Sequence, residues 1–103
     1  MSQVPKPPQT YRDFIARFPK LGEAWGALAE AGQEGPLDAK TQRLLKLAVA
    51  IGAQKEGPVH ASARKALAAG ITREEMEQVV ALAAGTIGMP SSVAAWSWIR
   101  ETE

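Results

Sequence analysis

The stretch LLKLAVAIGA, residues 44–53, carries a single charge. Asp38 stands where an N-cap is needed, and AKTQR leads into the apolar run, so the spacing predicts a helix over residues 39–53. The later half of that helix is apolar around nearly its whole circumference. Such a helix has to be covered on more than one side. It is therefore expected to be the most buried element, and the rest of a 103-residue chain must supply its cover.

The rest reads as further helices. VPKPPQ is too proline-rich for a helix, so residues 1–9 are expected to form an extended arm ahead of one helical domain, residues 10–103. Thr10 is a plausible N-cap for a short helix with Tyr11, Phe14, Ile15 and Phe18 on one face, ended by Pro19. Leu21, Trp25 and Leu28 mark a second stripe, closed near Gly32 and the QEGP turn. Pro58 suits the first turn of a fourth helix, Val59, Ala63, Ala66 and Leu67 give it an apolar face, and Gly70 is the expected C′ residue. Thr72 and Glu75 form a capping box for a fifth helix with Met76, Val79, Val80 and Ala83 inward. Ser91 or Ser92 would cap a last helix, VAAWSWIRE. No segment alternates with period two for long enough to be a strand, so the fold class is all-α with about six helices.

Composition excludes several functions. There is no cysteine, which removes thiol nucleophiles, disulfides and thiolate metal ligands. The single histidine, His60, could join a metal site only if symmetry brought copies together, so neither a metal nor a cofactor is expected. Net charge is +1 with both signs interspersed, which gives no field for nucleic acid or an anionic membrane surface. Glu74, Glu75 and Glu77 would repel phosphates if the fifth helix were used as a recognition helix. The longest apolar run is far short of the roughly 20 residues that span a bilayer. A cytoplasmic location is the default expectation.

LDAKTQRLLKLAVAIGA, a short polar break, ARKALAAGITREEMEQVVALAA and then GMPSSVAAW follow one another in an order that resembles the carboxymuconolactone decarboxylase family, which includes the alkylhydroperoxidase D-like (AhpD-like) proteins. The resemblance spans about residues 37–99. It implies an AhpD-like helical fold and a homo-oligomer, with a trimer or hexamer favoured over a dimer.

Peroxidase-like members carry a glutamate, then Cys-x-x-Cys, then a histidine four residues on. Counted back from ALAAG, those positions fall on Arg43, Lys55, Pro58 and Ser62. The resemblance therefore implies the scaffold without thiol peroxidase chemistry. The decarboxylase branch also resembles a pattern with histidine at the Ser62 position, and serine is a poor proton donor for that reaction. GPVHAS is more similar to a cysteine-free G-x-V-H-x-H pattern, of which it keeps the first histidine.

His60 is two residues from Ser62, about 200° away around a helix, and so is not its replacement. Glu56 and Arg64 lie one turn to either side of His60. Glu56 and His60 are the candidate catalytic pair. Arg64, Arg43 and Lys55 are candidate binders of a small carboxylate, lactone or phosphate. Two readings stand side by side. One is an acid–base enzyme or small-ligand binder at an intersubunit pocket, lyase-like rather than peroxiredoxin-like if it is an enzyme. The other is a catalytically silent oligomeric scaffold, with His60 as a polar residue of the first helical turn. Trp96 and Trp98 are expected to pack in a core or interface rather than line a pocket.

Overall fold

A computed structural model of the protein describes residues 8–102. Six helices occur among the described residues: α1 (Gln9–Arg17), α2 (Pro19–Gln33), α3 (Ala39–Gly52), α4 (Glu56–Ala68), α5 (Arg73–Ile87) and α6 (Met89–Glu101). No strand is found among those residues, and no helix is long and apolar enough to cross a membrane. The expected arm lies largely outside the described residues, and its last residue, Gln9, already begins α1.

The described chain divides into two compact units, residues 8–37 and 38–102. The first is the α1–α2 hairpin. Its helices meet closely at Gly22, where a Cβ would lie 3.2 Å from that of Ile15. Neither helix has a fully buried residue, and Phe14, Phe18, Leu21, Trp25 and Leu28 are all exposed. Thr10 does not cap α1, because the helix begins one residue before it with Pro8 at the N-cap.

The second unit holds the core. α3 packs against α4 and α5, and α6 packs against the same two, so the four helices close a ring. Leu47, Ile51, Val59, Ala63, Ala66, Met76, Ala95 and Ile99 fill it. The apolar face expected on α4 is thus turned into the core of the protomer itself. α3 is not enclosed as its composition suggests. Leu47, Ala50 and Ile51 are buried, but Leu45 and Val49 on its other side are exposed, since a four-helix unit has no further element to lay over them.

Local signals set most boundaries. The Asp38 carboxylate accepts from Thr41 N–H at 2.7 Å, which caps α3. The Thr72–Glu75 capping box is complete at the start of α5. α4 ends in a Schellman turn: Gly70, at φ +89, donates to Leu67 C=O, and Ile71 donates to Ala66 C=O while its own side chain is buried. α3 ends the same way with Gln54 in the left-handed position, φ 54. The Gln54 amide donates to Ile51 C=O at 2.8 Å and to Ser91 C=O at 3.3 Å, and these bonds offset the cost of that backbone. α6 starts two residues before the serines expected to cap it. Gly88 is its N-cap, Pro90 lies in its first turn, and the Ser92 hydroxyl donates to Gly88 C=O.

Candidate functional site

α4 is helical from Glu56 onward, which stacks Glu56 and His60 on one face one turn apart. His60 Nε2 lies 3.4 Å from Glu56 Oε2. α6 packs against α4 and brings its C-terminal end to the same place. Glu101 Oε2 is 3.9 Å from His60 Nε2, and Thr102 Oγ1 is 3.1 Å from His60 Nδ1. The ligand atoms of Glu56, His60 and Glu101 all lie within 4.8 Å of one another, and among the described residues this group could hold a metal.

The arrangement is anchored from outside. Thr102 is buried, and its hydroxyl donates to Trp98 C=O at 3.0 Å. Arg73, at the first position of α5, donates through Nη1 to Ile99 C=O and through Nη2 to Thr102 C=O, each at 2.6 Å. The last carbonyls of α6 have no intrahelical partners, and a guanidinium is the cation suited to them. Arg73 thereby fixes the backbone that carries Glu101 and Thr102. The His60 side chain is only 23% exposed, whereas Glu56 and Glu101 are 58% and 62% exposed. The site is thus a held imidazole with two solvent-reaching carboxylates.

The expected cations do not join this cluster. Arg64 makes no ion pair with Glu56 or His60 and belongs instead to a basic group with Arg43, Lys46 and Lys65 of α3 and α4. Burial pushes the Lys65 ammonium below its usual range, and the charges of Arg43, Lys46 and Arg64 push it the same way. Lys55 is the exposed N-cap residue of α4 and likewise pairs with neither Glu56 nor His60. Among the residues reached from sequence, the structure brings together Glu56 and His60. It adds Glu101 and Thr102, whose one trace in the sequence is the polar end RETE.

Of the positions where the thiol peroxidases carry their reactive groups, Pro58 is exposed in the first turn of α4 and Ser62 is half-buried farther along it. A separate apolar groove of about 460 Å³ runs between α3 and α5, lined by Leu44, Leu45, Ala48, Val79, Leu82 and Ala83 with Glu75 and Gln78 at its edge. None of the candidate site residues Glu56, His60, Arg64, Arg43 and Lys55 lines it. Trp98 packs against the core, while Trp96 is partly exposed, donates to Glu77 at 2.7 Å and lies under Arg100.

Residues 19–101 match the carboxymuconolactone decarboxylase family, and the chain belongs to that family. The all-α fold and the absence of cysteine agree with the cysteine-free branch suggested by its sequence. Neither a curated protein nor a solved structure matches the chain.

Proposed function

We propose that this family member is a homo-oligomer that uses the Glu56–His60 pair in acid–base chemistry on, or binding of, a small carboxylate or lactone, and that it is not a thiol peroxidase. One observation carries this reading: a lone histidine is held by the buried Thr102 hydroxyl with its other nitrogen facing carboxylates that solvent can reach. An ordinary surface histidine is not fixed at one ring nitrogen by a buried partner. Glu101 extends the pair, and the Arg43–Lys46–Arg64–Lys65 group supplies positive charge on the same domain for an anionic ligand. Lys55 is at most a peripheral contributor.

Self-association is supported by the apolar area left uncovered. Trp25 and Leu28 are 61% and 64% exposed in the hairpin unit, and Val49 and Leu82 are 71% and 74% exposed in the core unit. Exposed side chains of this size in such number support an interaction surface. The trimer or hexamer implied by the family resemblance is the assembly we favour.

The α3–α5 groove favours a second reading, a silent scaffold, because its cavity is not lined by His60 and its largely apolar lining suits a contact between copies. A thermal-shift screen of small carboxylates, lactones and phosphates separates the two, since a ligand of the native state raises the melting temperature by mass action. The site reading expects a hit whose shift disappears in His60→Ala. A screen with no hit, or a hit indifferent to that change, favours the scaffold.

A further inference from the structure

We infer that Glu56, His60 and Glu101 form a binding site for one divalent transition-metal ion, zinc by its donor set, with Thr102 as the residue that orients the imidazole. The inference rests on the site reading above and names what that site holds. It also departs from the expectation that a single histidine leaves the chain without a ligand set. Imidazoles and thiols are sparse along the sequence, but the packing of α6 against α4 adds a carboxylate 41 positions away from His60.

The hydrogen-bond roles point to a cation. The Thr102 hydroxyl has one proton, and it is directed to Trp98 C=O. With that proton so directed, the same oxygen accepts from His60 Nδ1, 3.1 Å away, when the imidazole is the Nδ1–H tautomer. That tautomer leaves Nε2 with a lone pair for a ligand. It faces Glu56 Oε2 at 3.4 Å and Glu101 Oε2 at 3.9 Å, which are also acceptors. In the Nδ1–H tautomer three lone-pair atoms from two helices converge. A metal ion between them would engage all three.

Geometry favours the metal. Ligand atoms about 2.0–2.2 Å from zinc sit roughly 3.3–3.6 Å apart on a tetrahedron. The Glu56–His60 spacing is already 3.4 Å, and the whole set lies within 4.8 Å. The remaining closure falls to exposed carboxylates, which turn freely, while the imidazole is held. A ligating histidine whose other nitrogen donates to a buried oxygen is the usual supporting arrangement around a metal. One imidazole with two carboxylates suits zinc better than calcium or magnesium, which take oxygen ligands. Three protein ligands leave a fourth position for water or an oxygen of a carboxylate or lactone.

The test is calorimetric titration of zinc chloride into tag-free, chelator-stripped protein at neutral pH, with calcium chloride as control. One saturable zinc per chain is expected, with calcium silent. His60→Ala and Glu101→Gln should each weaken binding at least tenfold, and Thr102→Val, which keeps the shape but removes the acceptor, by about 10–100-fold. Circular dichroism on each variant checks that the fold persists. No saturable zinc binding, or equal binding by His60→Ala, overturns the site. The carboxylate screen is read separately. Zinc without an organic ligand overturns the proposed function and keeps the metal, whereas a His60-dependent organic ligand without zinc does the reverse.

Discussion

Arg73 and Thr102 are joined across 29 positions by a 2.6 Å bond from a guanidinium to a backbone carbonyl, and a second bond of the same length ties Arg73 to Ile99. The start of α5 thereby holds the end of α6, and α6 holds His60. Arg73→Met keeps much of the aliphatic stem and removes both bonds. It should cost about 2–3 kcal/mol in urea melts, because hydrogen bonds from a charged group outweigh neutral ones. Amides near Ile99 and Thr102 should exchange faster in the same variant. Unchanged exchange there would show that the α6 end is held by packing alone.

Acid should weaken the fold through two helix starts. The Thr41 backbone bond holds the Asp38 carboxyl below its usual range, and the Lys40 ammonium, 2.6 Å away, does the same for Glu75. Both groups release protons more readily in the folded state than in the unfolded one. Their contribution is therefore complete above their ordinary values of 3.8 and 4.5 and is lost as pH falls through the lower folded values. Urea midpoints should fall below pH 4.5, and Glu75→Gln should flatten part of that fall.

Lys65 acts in the opposite region of pH. Its folded value is depressed from 10.5, so the folded chain binds that proton less tightly than the unfolded chain does. Its charge opposes folding at neutral pH, and stability from this group rises as pH climbs through the folded value toward 10.5. Lys65→Met should raise the melting temperature at pH 7, with a smaller gain at pH 10. A lower melting temperature at pH 7 would mean that Lys65 has a favourable partner.

Two lysine substitutions should part company. Leu82 is exposed, so Leu82→Lys should leave the protomer folded and reduce the mass seen by light scattering. Val59 lies in the core, so Val59→Lys should unfold the chain by burying a charge without a partner. A native chain that is monomeric at micromolar concentration would refute the proposed assembly.

Peroxide should not be consumed with a thiol reductant, because no sulfur nucleophile is present and methionine oxidation is not a turnover step. Sustained consumption by metal-free protein would contradict this.

What was legible in the sequence was local. Asp38, the Thr72–Glu75 box and Gly70 each act within three to six residues, so their patterns survive without knowledge of the fold. The i, i+4 pairing of Glu56 and His60 is of the same kind. Glu101, Thr102 and Arg73 were missed because their roles depend on which helix ends meet. Arg64 illustrates the converse: its spacing from His60 suits a shared face, yet it makes no ion pair with Glu56 or His60, and its charge acts on Lys65. The outer face of α3 was misjudged because composition tells that a surface is apolar, not whether the same chain covers it.

Gln54 has a consequence for how this unit loosens. Its backbone reverses the chain between α3 and α4, and its side chain grips the first turn of α6 at Ser91. Glycine would turn there with less strain, but it has no arm to reach α6. A turn that would ordinarily open by itself is therefore tied to a helix 37 positions away. Solvent should reach the amides of the α3–α4 turn and those at the start of α6 in the same opening event, making a loop and a helix end one cooperative element.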